Sequence, residues 1–488
     1  MKKIFSWPVV ALGLSLGLSA CKDALDIQPQ QAIDLSTAFN TTQKVGAAVV
    51  GCYSQLDNSS LYGTDLILVP ELIAGDGYIS WEGSFQNYAQ LANHIQNAQI
   101  SNALEIWRAA YANINQTNVV LANLGVVTDS TQKQQFRGEM RFIRAAMYFE
   151  LVRLYAQQYK AGTNNTQLGV PLALTANTTI AQGDTKLPRA TVEQVYAQVI
   201  SDLQAAMKNL PAQNVTRASS FSAEALLARV YLQQGNYPAA RAAADDVITN
   251  SGASLAGTLA AVFQNRNSSE SLFEIQQNDQ NNAGTANSGL ATFFAGYSPT
   301  GDQGISYGRG DVRVNGDFAN LYGSSDVRGT DSLTILRTKK LIYLSDGNTK
   351  PNHLRTIKWR TYGQDIPLIR LAEMYLIRAE CDIRAGKSGD ADINKVRLRS
   401  GATPVIGAML PDVLLERQLE LAFEGFRLYD LKRTNGVIRP FQPAIPPTAT
   451  DPGSPAVPAF NANDPKAILP IPYQEINNNS LLVQNPGY

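Results

Sequence analysis

The chain has 488 residues, of which 44% are hydrophobic and 17% charged, and its formal net charge is zero. That composition belongs to an ordinary globular protein long enough for a large core or several packed layers. No basic excess points to nucleic acid, and no acidic run points to a disordered tail.

The N-terminus reads as a processing segment. Lys2 and Lys3 give a positive start, and Ile4 to Leu18 is mostly apolar but too short to span a bilayer. Leu18-Ser19-Ala20-Cys21 then sets small residues before a cysteine, similar to a bacterial lipobox. The pattern predicts a signal peptide over 1–20, cleavage before Cys21, and acylation of Cys21 as a lipid anchor. Each acyl CH₂ buried in the membrane contributes about 0.8 kcal/mol, so several chains anchor stably. Cys52 and Cys381 remain, with no C-x-x-C or metal spacing, and are most simply buried thiols; an exported protein also permits a disulfide. His94 and His353 lie far apart in polar sequence, so no metal site or cofactor is expected, and a Ser-His-Asp arrangement has little to draw on. Neither a P-loop nor a G-x-G-x-x-G stretch occurs.

Helical periodicity then dominates as far as about Asn250. Trp107, Tyr111, Ile114, Asn118 and Leu121 repeat at four-three spacing, as do Phe136, Met140, Ile143, Met147, Leu151 and Leu154. Aromatic residues on such a stripe are expected to pack rather than to cage a ligand. Thr191 and Gln194 form a capping box ahead of the next helix. Residues 221–252 read as helix, turn, helix, with Gly235-Asn236 at the turn and Pro238 at the start of the second helix. Ala239, Ala240, Ala243 and Ala244 allow close approach, and the layout is similar to a tetratricopeptide unit; Leu368 to Gly401 repeats it.

Between these blocks, from about Ser254 to Asp365, Asn, Gly, Ser and Asp are dense and only short apolar alternations occur, which predicts loops and short strands laid on the scaffold. Near the C-terminus, Leu415, Leu419, Ala422, Phe426 and Tyr429 trace an apolar stripe on a helix that Gly425 kinks or divides. Glu416, Arg417, Glu420, Glu424 and Arg427 would share its remaining surface as a lattice of ion pairs. Glu420 and Glu424 as a glycosidase pair is the competing reading, disfavoured because nearby arginines keep carboxylates ionised. Arg439 to Pro472 is rich in proline and predicted to be non-helical.

Several segments together resemble the SusD/RagB family of outer-membrane nutrient-binding lipoproteins. They are the lipobox, residues 138–156, 187–203, 225–237, 366–380, 416–433 and 469–488. The resemblance implies a mainly α fold: a tetratricopeptide-like superhelix of helical hairpins with a loop-rich, short-strand insertion packed on it. Residues 21–253 would form an N-terminal helical part and 254–488 a C-terminal part with the ligand region, both in one structural unit. The resemblance also implies a non-enzymatic, lipid-anchored protein of the cell outer membrane that binds glycan and delivers it to a SusC-like TonB-dependent transporter. Peptide uptake on the same architecture stays open. The matching motif residues, Glu416, Glu424, Arg427, Asp430, Arg433 and Asn485 to Tyr488, concern packing and carry over no ligand contact.

Sugar rings are bound by aromatic faces flanked by Asp, Asn, Arg or Gln. Two loop regions offer that chemistry. Asp76, Tyr78 and Trp81 stand between glycines, and Tyr297, Tyr307 and Arg309 stand in the insertion, where Arg309-Gly310-Asp311 is a chance triplet. Trp81 either presents its ring to ligand or pins its own loop. Trp359 is expected in the core.

Overall fold

The computed structural model describes residues 38–75, 77–296, 308–330, 340–345, 353–439 and 458–488. Cys21, Asp76, Tyr297 and Tyr307 lie outside them. The helices that matter are α1 (Thr42–Ser54), α2 (Asp65–Ala74), α3 (Gln86–Ala92), α4 (Ser101–Ala122), α5 (Ser130–Tyr155), α6 (Val192–Asn209), α7 (Ser220–Gln234) and α8 (Tyr237–Asn250). After the insertion come α9 (Leu371–Arg384), α10 (Asp390–Arg399), α11 (Leu410–Glu420), α12 (Arg427–Arg433) and α13 (Tyr473–Asn478).

From α4 to α10 each helix packs on the next, and α8 packs directly on α9 although the whole insertion separates them in sequence. That is how a solenoid of hairpins buries a continuous core, and the fold is the mainly helical one expected. Local chemistry sets the corners. Thr191 caps α6 in a reciprocal box with Gln194, and Ser219 with Ser222 does the same for α7. Gly235 ends α7 in the left-handed region at φ 73°, and Asn236 caps α8. Ala240, Ala243 and Ala244 are buried between α8 and its neighbours. The α5 stripe from Phe136 to Leu154 is buried throughout.

The insertion is threaded with short strands, β2 (Ser271–Ile275), β3 (Val312–Val314), β4 (Ile342–Ser345), β5 (His353–Thr356) and β6 (Ile366–Arg370). An earlier strand, β1 (Ile79–Trp81), lies where the sequence suggested loop. It joins an antiparallel sheet of order β1-β3-β5-β4, with Ile79 opposite Val314 and Trp81 opposite Val312. β2 pairs with β6 through two irregularities in register.

The C-terminal helix departs from its expected polarity. It divides as predicted, α11 stopping at Glu420 and α12 starting at Arg427, with Gly425 at φ 84°. Yet Glu416, Arg417 and Glu420 are buried, while Leu415 of the expected apolar stripe is 38% exposed. The reason is that their partners come from elsewhere in the chain rather than from the same helix. Arg328 binds Glu416 at 2.6 Å and Glu420 at 3.0 Å. Arg370 binds Glu270 at 2.9 Å, Glu420 at 2.6 Å and Glu424 at 2.8 Å. Arg399 joins Glu270 to Glu420, and Lys358 holds Glu424 at 2.7 Å. A second knot links Arg417, Asp430, Arg433 and Glu380. The lattice is real but it is long-range and buried, and it ties the insertion to the solenoid. Buried charges are tolerated only when paired in this way. Trp359 is buried beside it and donates from Nε1 to the Phe423 carbonyl at 2.8 Å.

Cys52 and Cys381 are buried free thiols, both pushed up to about 12 by burial. His94 is buried as well, its Nε2 2.8 Å from the Ile73 carbonyl oxygen, and burial lowers its pKa.

Candidate aromatic binding site

Of the six ligand candidates named from sequence, Trp81 and Arg309 come together in the described structure. β1 carries Trp81 on the same face as buried Ile79, since side chains two apart on a strand point the same way. There its ring meets Tyr88 of α3 at 4.9 Å and Phe293 at 5.7 Å between centroids. Trp81 therefore pins its loop, and the half-buried ring keeps some surface open. Gly83 makes the approach possible, because a Cβ there would lie 2.3 Å from Trp81 Cζ2 and 2.8 Å from Asp311 Cγ.

Tyr78 is corrected to a core residue. It is 1% exposed, 5.2 Å from the Phe318 ring and stacked at 5.8 Å on Phe423. It stands in the turn just before β1, where its ring packs into the interior against Phe318 and Phe423.

Phe85, which sequence reasoning missed, completes the site. It stands just before α3, is 41% exposed, and meets Phe293 and Tyr88 edge-on, each at 6.2 Å. Arg309 lies over it at 5.0 Å and over Phe293 at 5.2 Å. The Arg309 guanidinium donates from Nε to Asp311 Oδ2 at 2.9 Å and from Nη1 to the Asn287 carbonyl at 3.2 Å. The signal for Phe85 was available: a phenylalanine between Gly83-Ser84 and Gln86, outside every helical stripe.

The result is a shelf in which an exposed ring, a partly buried indole and a guanidinium fixed by a carboxylate share one surface. Such a shelf can stack on the apolar face of a sugar ring and hydrogen-bond its hydroxyls. Beside it, Glu82 binds His353 Nδ1 at 2.8 Å and Arg355 Nη2 at 3.1 Å, with Arg313 at 3.6 Å. Burial raises the Glu82 pKa, but His353 and Arg355 outweigh that and hold it below its ordinary value. Beneath the shelf, the Tyr88 hydroxyl donates to Asp65 at 2.7 Å, and burial pushes Asp65 up to about 7.

None of this supplies a glycosidase pair. Asp65 and Glu71, the latter raised to about 8, are 2% and 0% exposed and cannot reach a substrate. Glu224, raised to about 8 by burial and by its hydrogen bond with Asp246, touches the other carboxyl directly. Glycosidase carboxyls stand roughly 5–9.5 Å apart to admit the bond or a water. The buried pair Glu420 and Glu424 is saturated by arginine and lysine. Among the described residues no group of His, Cys, Asp or Glu is arranged to hold a metal ion, and no helix is long and apolar enough to cross a membrane.

Comparison with known proteins bears on the fold and the family. Residues 342–488 match the model of the SusD family, and residues 23–232 match a model described as starch-binding and associating with the outer membrane. A SusD-like protein of Formosa agariphila is 27% identical over 549 aligned positions, covering 100% of both chains. A SusD superfamily protein from Bacteroides thetaiotaomicron superposes with a TM-score of 0.76 at 24% identity, over 91% of this chain and 100% of that one. A laminarin-binding SusD-like protein superposes with a TM-score of 0.72 at 23% identity, over 92% and 100%. The solenoid, the inserted strands and the C-terminal motifs thus have one common explanation: the chain belongs to the SusD/RagB family.

Proposed function

We propose that the chain is a cell-surface outer-membrane lipoprotein that captures glycan and delivers it to a SusC-like TonB-dependent transporter, without cleaving it. The observation that carries the reading is the exposed Phe85 ring beside half-buried Trp81 and the Arg309–Asp311 pair. Rings fixed from below by Tyr88 and Phe293 lose little freedom on binding, so affinity comes from preorganisation rather than area. Two similarities support the ligand class: the starch-binding description of the matched model and the laminarin-binding neighbour. Both polymers are neutral glucans, and the internally paired Arg309 suits a neutral ligand. Lipidation at Cys21, after loss of residues 1–20, supplies the anchor, and residues 21–253 and 254–488 act as one unit. Asp76, Tyr297 and Tyr307 are proposed as ligand contacts from their sequence context alone.

Electrophoresis through gels containing soluble starch or laminarin tests the reading. The chain should be retarded by at least one of them, and Phe85→Ala should migrate faster in that gel while melting as the wild type does. Equal retardation of the two proteins would remove the shelf from the site. Release of reducing ends from either polymer would replace the binding reading with a hydrolytic one.

A further inference from the structure

A depression away from the shelf lies between α4, the segment 171–187 and α13. It has a volume of about 750 Å³, within the range of roughly 300–1,000 Å³ typical of ligand sites. Trp107 and Tyr111 of α4 line it, the aromatic pair at 4.9 Å between centroids. A second depression of about 590 Å³ runs along the first half of α6, and both are walled by Leu187. The two depressions meet at Leu187 and form a shallow trough around it.

Its chemistry is mixed: aromatic and aliphatic side chains stand beside neutral amides and an equal number of positive and negative groups. Asn177 and Asn478 line the first depression and Gln198 the second. Among the described residues none of these three side-chain amides has a hydrogen-bond partner, whereas neighbouring Asn479 is committed to the Leu187 carbonyl at 2.8 Å. The charges cancel. Arg108 is paired with Glu475 at 3.3 Å and bound to Gln474 at 2.9 Å. Lys186 follows Asp184 by two residues. Arg189 is spent on the carbonyls of Gly169, Leu168, Tyr155 and Val483. A peptide would bring charged termini and side chains that this balanced lining has nothing to select. A chain of uncharged hydroxyls can use every amide as donor and acceptor.

From the volumes of the two depressions, the Trp107–Tyr111 pair and the three uncommitted amides, we infer that the trough is a second binding site for a neutral polysaccharide chain, separate from the Phe85–Trp81 shelf. The inference rests on the glycan reading above for its ligand class. Two sites on one rigid chain raise retention of a long polymer through effective concentration, with no change in the affinity of either.

The test uses the full-length chain and the combined variant Asn177→Ala, Gln198→Ala, Asn478→Ala, whose side chains are half-buried or exposed and hold nothing else in place. In gels containing soluble starch or laminarin the triple variant should be retained about tenfold less strongly than wild type, matching the loss of several amide hydrogen bonds. Its melting temperature should not move. Wild-type retention of the triple variant overturns the trough and leaves the shelf standing. Wild-type retention of Phe85→Ala overturns the shelf and leaves the trough standing. A wild-type chain retarded by neither glucan overturns both.

Discussion

Replacing Glu420 by glutamine separates the structural from the catalytic meaning of the C-terminal carboxylates. Glu420 is fully buried; its Oε1 accepts from Arg370 at 2.6 Å and also from Arg399, and its Oε2 accepts from Arg328 at 3.0 Å. Burial alone would raise its pKa, but Arg399, Arg370, Arg328 and Lys358 overcome that and hold it well below the ordinary glutamate range. An amide presents one oxygen and an N–H₂ to three guanidinium groups that all donate, so one cation is left facing a donor. Breaking one member of a buried ion network costs about 3–5 kcal/mol. At an unfolding entropy of about 2 cal/mol/K per residue, a chain of this length loses roughly 1 °C of Tm per kcal/mol. Glu420→Gln should therefore melt about 3–5 °C lower at pH 7 by calorimetry. A depressed carboxylate contributes its stability above the unfolded pKa and loses it as pH falls through the folded one. The gap between the two proteins should accordingly narrow below pH 4.5. Glycan retention should be unchanged, because no partner of Glu420 belongs to the shelf. An unchanged Tm with loss of a measurable activity would refute the structural assignment.

Three further outcomes follow from the same geometry. Gly425→Ala places a side chain at φ 84°, with its Cβ 3.2 Å from Ile67 Cα and the Leu66 oxygen; the left-handed strain of about 1–2 kcal/mol should appear as a lower urea midpoint. Glu224→Gln should raise stability at pH 8 and not at pH 5, because a raised carboxyl loses stability as pH climbs from 4.5 towards about 8. Glu224 is only half-buried, so solvent screening limits the gain to about 1 kcal/mol in a pH-resolved melt. Trp81→Ala removes contacts with Tyr88 and Phe293 as well as the open ring surface. It should cost about 2 kcal/mol, less than the roughly 3–5 of a fully buried aromatic, while Phe85→Ala costs little.

The scaffold was legible because its signals are local. Four-three periodicity, the Thr191–Gln194 box and the Gly235-Asn236 turn each act within a few residues, and each reappears as a helix, a cap or a corner. Gly425 likewise marked where the last long helix divides. The polarity of that helix was not legible, because Glu416 and Glu420 are neutralised by Arg328, Arg370 and Arg399 from distant segments. A charge pattern read along one helix cannot register such partners. The site divided in the same way. Arg309 and Trp81 were named from their loop context, yet Tyr78 shares that context and is buried, because its ring packs on Phe318 and Phe423, both distant in sequence. Phe85 went unnoticed because its value depends on Arg309 and Phe293, more than two hundred residues away.

Hydrogen exchange in the presence and absence of soluble starch or laminarin, with reducing ends assayed on the same samples, addresses the central claim most directly. Binding at the shelf predicts slower exchange of backbone amides in 79–92 and 308–313 when the glucan is present, and a constant level of reducing ends. Unchanged exchange across those two segments in both polymers, or a rising level of reducing ends, would contradict it.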